Sequence, residues 1–129
     1  MMTLAIKEEM SKEKRIFEEK KKLKNIFKDF ENDKKILING LIERAAYMLV
    51  TLEDYEKDID ENGYIELFSQ SDKLEPYERE RPVIRLYNTM NKNYLSIIRQ
   101  LRDLLPKDET EKTDELLEFI SGNTIQKRA

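Results

Sequence analysis

Residues 58–69, DIDENGYIELFS, put oxygen-bearing side chains at alternate positions and then a glycine, the arrangement of a calcium-binding loop. With Asp58 in the first loop position, Asp60 stands third, Asn62 fifth, Gly63 at the sharp turn, Ile65 eighth and Glu66 ninth. The twelfth position calls for a glutamate that grips the ion with both oxygens, and Ser69 stands there. The residues that follow, SQSDKLEPYERERP, hold Pro76 and Pro82 and no 3.6-residue apolar period, so no exiting helix is expected. A simpler reading ends a helix at Asn62 and uses Gly63 as the left-handed residue past its end. Calcium held by Asp58, Asp60 and Asn62 is thus a lesser alternative to a protein with no metal and no cofactor.

The second chemical feature is basic. Residues 1–35 contain 11 Lys/Arg against 8 Asp/Glu, whereas residues 36–129 contain 13 against 19, within a net charge of −3. The densest piece, EKKKLKNIFKDFENDKK, interleaves Lys20, Lys21, Lys22, Lys24, Lys28, Lys34 and Lys35 with Leu23, Ile26, Phe27 and Phe30. Lysines mixed with acids on a helix make an ordinary solvated face. The sharper reading is neutralisation of nucleic-acid phosphates, which positions a protein on DNA without reading its sequence directly.

Catalytic chemistry finds no foothold. The chain has no His and no Cys, which removes the commonest general base, the thiolate nucleophile and the usual zinc ligands. Ser11, Ser69, Ser71, Ser96 and Ser121 therefore have no histidine to activate them. Gly40, Gly63 and Gly122 are isolated, and no phosphate-binding glycine loop is present. Carboxylates abound, yet none sits in an apolar context that would split a pair of pKa values. The run ERERP, Glu78 to Pro82, alternates in sign and suits surface ion pairs.

The elements that position these residues read as helices. Charged residues make up 40% of the 129, well above the roughly 25% of ordinary globular proteins, so long solvated helices are expected in one domain. A first apolar stripe of Ile16, Leu23, Phe27 and Phe30 marks a charged helix over about residues 12–29. Ile38, Ile42, Ala45, Leu49, Leu52, Tyr55 and Ile59 recur by fours and threes, predicting a helix over 33–62, about 45 Å long, with Asn32 as its N-cap and Gly40 inside it or at a local break. A third stripe, Val83, Tyr87, Met90, Tyr94, Ile97, Leu101 and Leu104, repeats every seven residues between Pro82 and Pro106. The connection 63–80 exceeds the usual helix–helix loop of about 2–8 residues, and its YIELF suits a short strand. After Pro106, Thr110 or Thr113 can cap a short last helix carrying Leu116, Leu117 and Ile120 and stopping near Gly122, with a loose tail beyond.

The expected fold is all-α: an N-terminal basic segment (1–32), a central antiparallel helical hairpin (33–106) and a C-terminal short helix and tail (107–129). Leu49, Leu52 and the third stripe form its seam. Leu37, Leu41, Ala46, Met48, Val50, Ile84, Leu86, Leu95, Ile98 and Leu105 lie off the stripes, more apolar surface than so elongated a chain hides alone, so a homo-oligomer is expected. No apolar run approaches the roughly 20 residues of a membrane span and no signal-peptide stretch opens the chain, which predicts a cytoplasmic protein without membrane contact.

Three stretches carry a further likeness. LIERAAYMLVTLEDYEKDIDENG, a connection containing FSQS, and ERPVIRLYNTMNKNYLSIIRQLRDLLPK resemble the phage terminase small subunit family, particularly members from phages and prophages of Gram-positive bacteria. The likeness spans about residues 23–107, with LYNTMNKNY and LRDLLPK its most specific pieces. It implies a non-enzymatic DNA-packaging protein that binds viral double-stranded DNA, assembles as a ring through its central helices and presents DNA to a large terminase subunit. Many members carry an N-terminal helix-turn-helix, whereas one charged helix followed by DFENDK stands here. A helical protein–protein adaptor without DNA binding is the alternative.

Overall fold

The computed structural model describes residues 11–30, 32–106 and 110–121. The expected stop at Gly122, the tail beyond it, and residues 1–10 and 107–109 of the expected flanking segments lie outside these. Among the described residues four helices and one two-stranded sheet follow in order: α1 (Lys12–Ile26), α2 (Asn32–Asn62), β1 (Ile65–Phe68), β2 (Tyr77–Glu80), α3 (Pro82–Leu104) and α4 (Thr110–Ile120). The chain is mainly helical, with the small sheet inside the long connection.

Helix boundaries follow local chemistry. Ser11 caps α1, its hydroxyl accepting from the Lys14 N–H at 3.2 Å. Asp33 lies in the first turn of α2, where a carboxylate meets the positive end of the helix dipole. Gly40 is helical, and a Cβ built there would meet nothing within 4 Å, so no close approach demands it. Gly63 ends α2 at φ 81°, its N–H donating to the Ile59 carbonyl at 2.7 Å. Pro82 opens α3 where its missing N–H costs nothing.

The core lies where three helices meet the last. Leu23, Ile26 and Phe27 from the end of α1 join Ile38, Leu41, Ile42, Ala45 and Leu52 of α2, Tyr94, Ile98 and Leu101 of α3 with Leu105 just past its end, and Leu116 and Phe119 of α4. Helix α3 retraces α2: Arg81 reaches Asp58, the Tyr87 hydroxyl donates to Glu56 at 2.8 Å, and Met90 lies across a groove from Met48.

The buried line of α3 differs from the expected seam. Tyr94 and Leu101 are buried as that seam requires, but Val83, Met90, Ile97 and Leu104 are only half-buried, as are Tyr87 and, on α2, Leu49. Their next neighbours Ile84, Ile98 and Leu105 are buried instead, and so are Leu41, Ala46 and Val50 of α2, which were expected to be off-stripe. The physical reason is that the apolar arc of α3 holds two heptad lines that share positions 87, 94 and 101. Leu116 of α4 lines one groove with Ile98, which draws that side of the arc inward. Replacing Ile98, only 5% exposed, by Ala is expected to cost about 2–5 kcal/mol in denaturant unfolding, and Ile97→Ala less than half of that. Equal costs at the two positions would restore the expected register.

Candidate functional site

The seven candidate lysines divide by their partners. Lys20 extends from α1 to α2 and meets Glu43 at 2.8 Å, and Lys22 meets Glu19 of its own helix at 3.2 Å. The Lys20 ammonium holds the Glu43 carboxyl below its ordinary range, with a smaller contribution from Lys24. Lys21 rests its ammonium 5.6 Å from the Phe17 ring. Lys24, Lys28, Lys34 and Lys35 make no ion pair with any described residue.

Three of these four converge. Lys24 near the end of α1, Lys28 in the connecting turn and Lys35 in the first turns of α2 line one open groove with Phe27, Ile38, Asn39 and Ile42. The apolar members belong to the core, so the groove floor is fixed by packing, while the lysine stems lie over it and extend their charges into solvent. Asp29, the carboxylate in the same turn, is paired with Lys112 of α4 at 3.2 Å and so is partly neutralised. The arrangement offers three ammonium groups and the Asn39 amide to an anion, with no group poised for bond breaking.

Two of the calcium candidates, Asp58 and Asn62, are otherwise engaged. Asp58 lies inside α2, and its carboxylate accepts from Arg81 Nη2 at 2.8 and 3.0 Å and from the Asn62 amide at 2.7 Å. Arg81 also donates through Nη1 to the Gly63 carbonyl at 2.9 Å. Among the described residues no group of three His, Cys, Asp or Glu side chains could hold a metal ion. The contact has a clear electrostatic purpose, because Asp58, Asp60 and Glu61 crowd the negative end of the α2 dipole and α2 has no basic residue in its last turn. Arg81 supplies the missing cation from the start of α3. Sequence reading assigned ERERP to surface ion pairs without finding this partner, because nothing local links positions 58 and 81.

The two seam tyrosines face inward. The Tyr94 hydroxyl is buried without a hydrogen-bond partner among the described residues, and burial, followed by the nearby Glu19 and Glu53 charges, pushes its pKa up. Tyr87 is raised by its bond to Glu56. Tyr94 is buried in the core, whereas Tyr87 is half-buried at a groove it lines with Ile59, Tyr64 and Ile84.

Comparison of the chain with protein-family models, with curated proteins and with solved structures gives no match. No helix among the described residues is long and apolar enough to cross a membrane.

Hydrogen bonds from Arg81 and then Asn62 hold the Asp58 carboxyl below its ordinary range. A carboxyl depressed on folding stabilises the protein fully above its unfolded value, near 4, and loses that contribution as pH falls through the lower folded value. Arg81→Met is therefore expected to lower the melting temperature at pH 7, with the difference from the native chain shrinking toward pH 2. An NMR carboxyl titration should show Asp58 returning upward in the variant, and an unmoved titration would break the assignment.

Proposed function

We propose that this chain is a small terminase subunit, a non-enzymatic DNA-packaging protein of a phage or prophage. It binds viral double-stranded DNA and presents it to a large terminase subunit. The observation that carries the DNA part is the convergence of Lys24, Lys28 and Lys35 on one groove with no ion pair among the described residues, Lys34 being the neighbour of Lys35 in sequence. Ammonium groups that make no ion pair with a described carboxylate release counterions when they meet phosphates, whereas Lys20 and Lys22 must first give up Glu43 and Glu19. Support for the packaging role comes from the resemblance over residues 23–107.

Three or four phosphate contacts per chain make a weak site, so the role requires several copies acting together. Assembly as a homo-oligomer, with the α2–α3 hairpin at its centre, is accordingly part of the same proposal. The second reading, an adaptor that binds only proteins, is favoured by the exposed Ile36, Leu37, Leu86 and Leu95, and it predicts no salt-dependent retention of DNA.

Titration with duplex DNA across salt concentrations separates the two. Replacing Lys24, Lys28 and Lys35 by Ala is expected to weaken binding to all sequences alike and to flatten the slope of log K against log salt by about 0.9 per lost contact. Lys22→Ala should change the slope less. Unchanged affinity and slope in the triple variant would remove the lysine groove from the site, and no retention by the native chain would favour the adaptor.

A further inference from the structure

The two-stranded sheet has two unlike faces. Antiparallel pairing sets Glu66 opposite Arg79 and Phe68 opposite Tyr77. That face is bound together by the Arg79–Glu66 pair at 3.2 Å, by Arg79 lying 3.5 Å from the Phe68 ring centre, and by the edge-on contact of Phe68 with Tyr77. The other face sets Ile65 opposite Glu80 and Leu67 opposite Glu78, and all four are exposed, Ile65 by 54% and Leu67 by 73%. Glu78 and Glu80 make no ion pair with a described residue. An isolated two-stranded hairpin is marginal in water, and this one presents two bare aliphatic side chains beside two free carboxylates.

A surface of complementary character lies on α3 and α4. Leu95, Ile98, Leu117 and Ile120 line a groove between these helices, with Leu95 43% and Leu117 56% exposed, and Arg99 and Arg102 belong to the same lining. Arg99 has no ion-pair partner among the described residues, and Arg102 has only its exposed neighbour Asp103 at 3.4 Å. The arginines stand one helical turn apart, within reach of carboxylates two residues apart on a strand, about 7 Å. Leu95 lies about 20 Å along α3 from Pro82, where the hairpin joins, and the hairpin face stays exposed within a single chain.

We infer that the occupant of the α3–α4 groove is the β1–β2 hairpin of a second copy, with Ile65 and Leu67 against Leu95 and Leu117 and with Glu78 and Glu80 meeting Arg99 and Arg102. The contact is head-to-tail: each copy offers one hairpin and one groove, so it joins copies in series and not as a two-fold pair. The inference rests on the assembly part of the proposal above and not on DNA binding.

Charge reversal tests it. E78R/E80R makes both surfaces of one chain positive, and R99E/R102E makes both negative, so each variant alone is expected to associate at least tenfold more weakly than the native chain by sedimentation. An equimolar mixture restores attraction at every junction, and its association should return to near the native level, which also shows that both variants are folded. Variants that associate like the native chain would overturn the contact, as would a mixture that stays dissociated. Pairing of free strand edges between copies would leave R99E/R102E unaffected and would equally overturn it. A native chain of single-copy mass at all micromolar concentrations would remove both this contact and the assembly reading, while DNA titration of the same sample judges the lysine groove separately.

Discussion

Helix α2 has to satisfy apolar neighbours on more than one side, and the rest of the chain is arranged around that requirement. Ile38, Leu41, Ile42, Ala45, Ala46, Val50, Thr51, Leu52 and Ile59 are all buried, a spread too wide for one partner helix. Helix α1 covers one flank and α3 another, and Ala45 and Ala46, both fully buried, keep the spine thin enough for neighbours to approach closely. Thr51, buried on α2, bonds its hydroxyl to the Tyr47 carbonyl at 2.8 Å and so satisfies its own polar group within the helix. Burial on two sides also makes the long helix stable where propensity alone, with Gly40 inside it and a crowded acidic end, would not.

The charges are allotted in the same way. Arg15 pairs with Asp54 and Glu53 and Lys20 with Glu43, so that α1 is tied to α2 by cross-helix pairs, while Lys112 of α4 pairs with Asp29 in the turn after α1. Beneath Arg15 the acids crowd: burial, and then the Glu19 charge, raises the Glu53 carboxyl against the opposing pull of Arg15. A carboxyl raised on folding destabilises the native state at neutral pH and relaxes as pH falls. Its effect is opposite in sign to that of Asp58, so two carboxyls in the C-terminal third of α2 respond to acid in opposite directions. The orphaned Tyr94 hydroxyl faces the same acidic neighbourhood.

Helices and their ends were legible because their signals are local. Pro82, Gly63 and the four-three spacing fix where chains of backbone hydrogen bonds begin and stop, and YIELF showed the β-forming residues of a strand. Its partner YERE did not, because alternating charges satisfy a solvated strand and a solvated loop equally well, and only pairing with Ile65–Phe68 decides between them. The register of α3 was hidden for a related reason: adjacent residues Ile97 and Ile98 are chemically identical, and the choice between them belongs to the core formed with other helices. The candidate lysines were recognisable as a group, but which are free depends on Glu43 and Glu19, one of them distant in sequence. Arg99 and Arg102 carry only a faint signal in the sequence, as two arginines a helical turn apart that follow the apolar Leu95 and Ile98.

That division of charge separates two surfaces. The groove lysines Lys24, Lys28 and Lys35 stand at the α1–α2 corner, whereas the hairpin and the second groove stand on the β1–β2 connection and on α3 and α4. If copies join through the latter, no lysine of the corner is consumed, and each added copy brings another set of ammonium groups at a spacing fixed by the protein contact. A single corner competes poorly with salt for a phosphate backbone. A row of corners loses its contacts together only when several detach at once, so weak, sequence-tolerant groups become useful through assembly and not through any change in their own chemistry.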